Sequence, residues 1–412
     1  MYPTITLRKG KDQSLRRYHP WVYSGAIART DDGIEEGDIV RIVTAEGELL
    51  GVGHYQIGSI AVRMLSFSDT VIDDDYWKRR LGQAIAMRRA IGVEREDNNM
   101  YRLVHGEGDW LPGLVIDIYG NSAVMQAHSV GMHRQRKEIA HALQELMPSL
   151  SSIYYKSDTT LPYKANLSDE SGYLFGKSAD VIAIENGLRF NIDWLKGQKT
   201  GFFLDQRENR ALVEQYAAGR RVLNMFCYTG GFSVYALRGG ATAVHSVDSS
   251  ERAIELTDSN VALNFPQCDR HKSFAADAFK FLNSIGESEP ANGQQCSMLD
   301  AQCSMANDYD LIILDPPAFA KHRDALHNAL KGYTRLNAKA MQKIKSGGIL
   351  FTFSCSQAVS KEQFRLAVFT AAAQSHRNVK VLHQLHQPAD HPVNIYHPEG
   401  EYLKGLVLYV ED

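Results

Sequence analysis

The 412-residue chain is 44% hydrophobic and 23% charged, ordinary globular usage that excludes a mostly disordered protein and leaves room for about two to four domains. Its formal net charge of −3 supplies no whole-chain field toward nucleic acid, so a polyanionic partner must meet a local basic surface. The opening MYPTITLRKGKDQ lacks the apolar run of a secretory signal and no stretch of about 18 apolar residues follows, so neither export nor a membrane span is expected.

Residues 1–72 predict a small β-barrel. Asp38 to Thr44 alternates polar and apolar residues, and Leu49 to Tyr55 and Ser59 to Leu65 follow after turn residues. Asp73 to Ile91 predicts a helix, with Asp73, Asp74 and Asp75 at its positive end and Arg88 and Arg89 at its negative end. Residues 73–192 then predict a central α+β domain, with strands at Tyr101 to His105, Gly113 to Tyr119, Ser122 to Ala127 and Ser152 to Lys156, and a helix over 131–146.

The pattern changes within residues 193–412. From about 221, short apolar strands alternate with helices: Val222 to Phe226, Ala243 to Val247, His271 to Ala275, Leu311 to Leu314 and Ile349 to Phe353, with helices near 231–238, 250–264, 278–284, 327–345 and 360–374. Repeated β-α units predict a doubly wound, mainly parallel α/β sheet. Two consecutive strands, near 379–385 and 403–410, predict an antiparallel terminal hairpin, and the polar stretch Ser284 to Asp308 reads as an inserted surface loop.

In an open α/β sheet, ligands bind outside the C-terminal strand ends. Behind the first strand comes NMFCYTGGFS, Asn224 to Ser233, whose glycine pair allows close backbone approach to a ligand or serves only as a helix-entry turn. Behind the second comes Asp248, placed to accept from a ribose diol or to cap the helix starting at Ser250. Behind the third comes Asp277-Ala278, where the carboxylate could meet an exocyclic amine or cap a helix. Behind the fourth comes Asp315-Pro316-Pro317, where two prolines end the strand and hold the Asp side chain at its tip. Behind the fifth comes Ser354-Cys355-Ser356. The five cysteines, Cys227, Cys268, Cys296, Cys303 and Cys355, form no CxxC pair and no metal-ligand spacing, which predicts reduced thiols in a cytoplasmic protein and no bound metal. Free Cys packs by default as a small hydrophobe. Beside the Asp-Pro-Pro strand end, however, Cys355 is placed as a nucleophile would be.

These motifs, Asn224 to Ser233, Asp248, Asp315 to Phe319 (DPPAF) and Phe353 to Ser356 (FSCS), resemble class I S-adenosylmethionine-dependent RNA methyltransferases. With Lys199 to Gln206 (KTGFFLDQ), Ala389 to Pro392 (ADHP) and Pro398 to Gly405 (PEGEYLKG), the chain resembles more closely the RlmI-type family of bacterial 23S rRNA cytosine-C5 methyltransferases, over nearly its whole length. The resemblance implies an N-terminal PUA domain (1–72), a central α+β domain (73–192) and a Rossmann-like class I methyltransferase domain (193–412). It implies S-adenosylmethionine as cofactor, with Lys199 and Thr200 at the pocket, Phe226, Tyr228 and Gly230 around its methionine and ribose parts, Asp248 on the ribose, Asp277 and Ala278 at the adenine, and Asp315 between cofactor and base. Gln206 and Arg207 lie close by or play a structural part. Two departures stand out: Ala318 follows the prolines where the family often has Lys, and Cys296 and Cys303 in the long 284–308 loop match no family motif.

Cytosine C5 is a poor nucleophile until a thiolate adds at C6, which assigns that attack to Cys355. Asp315 is the candidate to hydrogen-bond N3 and the exocyclic amine. Glu399, in HPEGEY, is the candidate base for the C5 proton or else a turn carboxylate. The RNA partner, 23S rRNA or a large-subunit precursor, must present its base unpaired or flipped. Arg8, Lys9, Lys11, Arg16 and Arg17, with Arg29, stand against Asp12 alone within residues 1–30, and His19, Trp21 and Tyr23 among them suit phosphate contact plus base stacking. Clusters at Arg79, Arg80, Arg88 and Arg89, and at Arg134, Arg136 and Lys137, read better as solvated helix faces. A homodimer is compatible with the family architecture, though no sequence feature decides it. The competing readings are a methyltransferase acting on another base, RNA or acceptor, and a non-catalytic RNA-binding protein; the paired Asp315 and Cys355 argue against both.

Overall fold

In the computed structural model, which describes residues 2–157, 159–162, 167, 170–178, 181–286, 309–320 and 323–412, the early alternation of apolar and polar residues becomes sheet. The chain forms two compact units: Met1–Gly187 with Ile192–Leu204 and Ala389–Gly400, and Leu188–Asn191 with Asp205–Pro388 and Glu401–Asp412.

The first unit begins with β1 (Thr4–Leu7), a one-turn helix α1 (Gln13–Arg16), β2 (Trp21–Tyr23), β3 (Ile27–Thr30), β4 (Ile39–Val43), β5 (Leu49–Tyr55) and β6 (Ile60–Ser66). These strands make one sheet in the order β2-β6-β5-β4-β1-β3. Its inward positions, among them Ile5, Val22, Val40, Ile42 and Met64, form their own core. Gly53 is required where β5 meets β6, since a Cβ there would lie 2.4 Å from the Arg63 carbonyl oxygen.

Helix α2 (Asp74–Ala90) follows, capped by Asp73, whose carboxylate accepts from the Tyr76 N–H. Strands β7 (Met100–His105), β8 (Leu114–Tyr119) and β9 (Ser122–Ala127), helices α3 (Val130–Arg134) and α4 (Arg136–Leu146), and strands β10 (Ser152–Tyr155) and β11 (Gly172–Gly176) complete a five-stranded sheet ordered β11-β10-β9-β8-β7. Arg88 is not on a solvated helix face. It is 1% exposed, ion-paired with Asp109, and donates 2.7 Å to the Asp390 carbonyl oxygen. Burial of a guanidinium is tolerated only with such a full set of acceptors.

After β12 (Val181–Glu185) and β13 (Leu188–Ile192), most of which belongs to the second unit, comes α5 (Arg207–Tyr216), which the sequence reading did not anticipate. Then come β14 (Arg221–Met225), α6 (Gly231–Arg238), β15 (Ala243–Asp248), α7 (Glu251–Asn264), β16 (His271–Ala275), α8 (Ala278–Ser284), β17 (Tyr309–Leu314), α9 (Leu326–Lys343), β18 (Ile344–Ser354), α10 (Lys361–Ser375), β19 (Asn378–His386) and β20 (Lys404–Glu411). The sheet order is β16-β15-β14-β17-β18-β20-β19. The first five strands are parallel, while β20 runs antiparallel to both β18 and β19. This is the doubly wound sheet with an antiparallel end that the spacing predicts. The closing pair is not a tight hairpin, because Ala389–Gly400 leaves to join the first unit. From residue 287 to 308 the expected surface loop lies outside the described residues, with Cys296 and Cys303.

Strand order reverses between β14 and β17, so the crevice outside their C-terminal ends is the switch point where this architecture binds ligands. Both strands are buried on both faces, which suits their mainly apolar sequences. Among the described residues, no helix is long and apolar enough to cross a membrane.

Candidate active site

The segment leaving β14 is the most contorted of the second unit. Phe226, Tyr228 and Gly230 have φ of 59°, 48° and 76°, a left-handed conformation that costs little only for glycine. Tertiary hydrogen bonds hold it. Cys227 N–H donates to the Val247 carbonyl (3.0 Å), the Thr257 hydroxyl to the Tyr228 carbonyl (2.9 Å) and the Asn260 amide to the Thr229 carbonyl (2.9 Å). A Cβ at Gly230 would come within 2.6 Å of Thr257 Cγ2, so the turn closes only on glycine. Strain held this firmly at a strand end marks a functional turn.

Asp248 at the end of β15 accepts from the Tyr228 N–H (3.0 Å) through one oxygen and from the Ser250 N–H (3.0 Å) through the other. It therefore fixes the glycine turn. The cap of α7 is Ser250, whose hydroxyl accepts from Ala253 N–H, and not Asp248. Asp277 does cap: it accepts from the Lys280 N–H (2.9 Å) at the head of α8, while Ala278 is buried behind it. Asp277 itself stays exposed.

At the end of β17, one Asp315 oxygen accepts from the Gln206 side-chain amide (3.0 Å), and the Gln206 oxygen accepts from the Asn209 amide (2.6 Å). Gln206 is 3% exposed. It thereby links the Asp315 carboxylate to Asn209 of α5. At the end of β18, Ser354 donates to the Tyr333 hydroxyl (2.9 Å) and Ser356 donates to the Ala320 carbonyl (2.5 Å). The second bond ties the Cys355 turn to the loop that follows Asp315-Pro316-Pro317. Cys355 lies between these two serines, half-buried.

Burial pushes the Tyr333 phenol up to about 12, and the charges of Cys355 and Asp315 push in the same direction. The buried phenol is thus held next to the thiol's turn through Ser354. Cys227 is a contrasting thiol: nearly fully buried and close to Asp248, it is pushed up to about 12, chiefly by desolvation. A thiol so protonated is no nucleophile.

Tyr333 and Lys404 were not singled out as site residues by sequence reasoning. Tyr333 sits in α9 with the spacing of any core aromatic, and only its hydroxyl sets it apart. Lys404 opens a strand, KGLVLYVE, that is otherwise apolar until its last residue, and this was the available signal.

The remaining predicted residues fall in the first unit. Thr200 is fully buried and donates 2.6 Å to Asp117, whose carboxylate also pairs with Arg102 at 2.7 Å. Its hydroxyl is thus committed to an internal ionic network. Lys199 is exposed and holds its ammonium 4.6 Å from the Phe203 ring centre. Glu399 faces His19 Nε2 at 3.5 Å and His397 Nε2 at 3.8 Å. Trp21 donates its indole N–H to Glu107 (2.8 Å) and packs edge-on at 4.3 Å from the His397 ring. Arg16 is ion-paired with Asp12 and Glu48, and Arg8 Nε donates to the Ile27 carbonyl. Lys9, Lys11 and Arg17 stay exposed.

A family model for S-adenosylmethionine-dependent methyltransferases matches residues 163–400, and one for a PUA-like domain matches residues 5–67. Fold and site define the chain as an S-adenosylmethionine-dependent methyltransferase with a PUA-like N-terminal domain. The site fits that cofactor: carboxylates stand at the ends of β15, β16 and β17, and the strained turn after β14 presents backbone at the switch point. Two structural neighbours share the fold over 99% of this chain and 100% of theirs at 22% identity: a Streptococcus mutans protein described as a SAM-dependent methyltransferase (TM-score 0.80), and a protein described as a methyltransferase and solved with SAH (TM-score 0.81). Two proteins called ribosomal RNA large subunit methyltransferase I are more similar in sequence. The one from Tolumonas auensis is 41% identical over 99% of both chains, and the one from Alteromonas mediterranea is 38% identical over 100% of both. The chain belongs to the ribosomal RNA large subunit methyltransferase I family.

Proposed function

We propose that this methyltransferase forms 5-methylcytosine in large-subunit (23S) ribosomal RNA, with Cys355 as the nucleophile. The observation that carries the reading is the half-buried Cys355 at the end of β18, in a turn tied by the Ser356–Ala320 hydrogen bond to the loop that follows Asp315 at the end of the neighbouring β17. The relatives' shared name supplies the substrate class. N- or O-methylation needs no thiol there, whereas C5 methylation does.

Phe226, Tyr228, Gly230, Asp248, Asp277, Ala278 and Asp315 hold the cofactor in this reading. Once bound, S-adenosylmethionine supplies an electrophilic methyl group. The Cys355 thiolate adds to C6 of the cytosine, forming a C6–S bond and making C5 nucleophilic. Asp315, oriented by Gln206, hydrogen-bonds the N3 and exocyclic-amine edge where charge develops. After C5 has taken the methyl, a base removes the C5 proton, the C5–C6 double bond re-forms and the thiolate leaves. Glu399, the candidate for that base, has His19 and His397 as its neighbours. Residues 1–72 act as the RNA-holding domain through exposed Lys9, Lys11 and Arg17, and residues 73–192 as a central α+β domain.

The test is methyl transfer from labelled S-adenosylmethionine to deproteinised 23S rRNA, by wild type and by Cys355→Ala, with nucleoside analysis of the product. Labelled 5-methylcytidine from the wild type, and at least about 10³-fold less from the variant, is expected. Label in another nucleoside, or an active variant, overturns the reading.

A further inference from the structure

We propose that Lys404 is a positioning residue that holds Cys355 in its thiolate form. The inference rests on the nucleophile reading above and adds a residue to it. Strand β20 pairs antiparallel with β18 so that Lys404 stands opposite Ser354, the residue before the thiol. Lys404 is 6% exposed, an unusual place for an ammonium. It is held there by two carbonyls of the turn that leaves Cys355, donating to Ser356 (2.5 Å) and to Val359 (2.7 Å). The positive charge is thereby fixed against the segment that carries the sulfur.

Burial brings the Lys404 ammonium down to about 8, while the charge of Cys355 acts to keep it protonated. That interaction is mutual: whatever Cys355 contributes to the ammonium, the ammonium contributes to the thiolate. Glu401 and Lys361 are the other charges that bear on Lys404, and they are paired with each other. The Tyr333 phenol, hydrogen-bonded to Ser354 beside the thiol, and the Asp315 carboxyl supply no positive charge. Lys404 thus brings a fixed positive charge to the turn that carries Cys355.

The pH dependence of Cys355 alkylation by iodoacetamide, followed on its own peptide by mass spectrometry, tests this. Wild type, Lys404→Gln and Lys404→Arg are compared, with folding checked by circular dichroism and Cys268 as internal reference. Wild-type Cys355 is expected to reach half-maximal rate below the value of about 8.5 for free cysteine. In Lys404→Gln, which keeps a donor and loses the charge, that midpoint should rise by about one pH unit, so alkylation at pH 7 slows roughly tenfold. Lys404→Arg should restore a profile close to wild type. A Lys404→Gln profile superposable on wild type overturns the proposal. If that variant fails to fold, a wild-type midpoint at or above that of free cysteine does so instead. An active Cys355→Ala enzyme would defeat the nucleophile reading without touching the alkylation profile, so the two failures are distinguishable.

Discussion

Cys227 and Cys355 both follow the end of a parallel strand of the same sheet, yet their surroundings differ. Cys227 is sealed under the glycine turn with its sulfur on Thr257, in surroundings that keep it protonated; Cys355 is partly accessible, between two serines that pin its turn. Cys227→Ala should therefore retain methyl transfer within about threefold, at some cost in stability, because it removes only a small packed group. A loss as deep as that of Cys355→Ala, with the fold intact by circular dichroism, would contradict the assignment. The strand-end residues could be read from the chain, because prolines, glycines and a hydroxyl-flanked thiol interrupt apolar runs. Tyr333 and Lys404 could not, because their meaning depends on which helix and which antiparallel strand pack beside β18. Asp248 was read for what it could bind, and the structure adds that both of its oxygens also hold backbone of the adjoining turns.

The turn between β14 and α6 holds two non-glycine residues, Phe226 and Tyr228, in the left-handed region, and Thr257 and Asn260 of α7 bond its carbonyls. Gly230→Ala would place a methyl group against Thr257 and force a non-glycine residue to hold φ 76°. Overpacking of this kind typically costs about 1–3 kcal/mol. S-adenosylhomocysteine affinity, measured by calorimetry, should fall at least about tenfold; unchanged affinity would show that this turn does not shape the pocket. Most strands and helices of the second unit were legible, because short apolar runs and helical spacing alternate regularly. Helix α5 was not. It carries few apolar residues and buries Arg207, Asn209 and Arg210 instead, so periodicity is silent there. The terminal pair was legible as two antiparallel strands, β19 and β20, but the membership of Ala389–Gly400 in the first unit was not.

For the whole molecule, each unit buries an imidazole in neutral form. His54, 2% exposed, is brought down to about 3 by burial, with no partner on either ring nitrogen. His245, 4% exposed, is brought down to about 4, again chiefly by burial. Both folded values lie below the ordinary 6.5, so between about pH 4 and 6.5 the unfolded chain binds more protons than the folded one. Stability contributed by these groups is present above pH 6.5 and is lost as pH falls through that window, by about 1–2 kcal/mol per imidazole at pH 5. The urea midpoint should drop measurably between pH 7 and pH 5, and His54→Leu should lessen the drop. An unchanged midpoint over that range would refute this. Of the basic and aromatic residues near the start of the chain, Arg16 and Trp21 are engaged within the protein while Lys9, Lys11 and Arg17 are exposed. Composition could locate those cations but not their partners, which come from residues as distant in sequence as Glu48 and Glu107.

The most direct measurement is capture of the reaction intermediate on large-subunit rRNA transcribed with 5-fluorocytidine, incubated with S-adenosylmethionine and the wild-type protein. Fluorine cannot leave C5 as the proton does, so methyl transfer should leave a denaturation-resistant protein–RNA complex. Mass spectrometry after nuclease digestion is expected to place the nucleotide on the Cys355 peptide. Methyl transfer to the unfluorinated rRNA by the same preparation, with no adduct on Cys355 in the fluorinated one, would contradict the account.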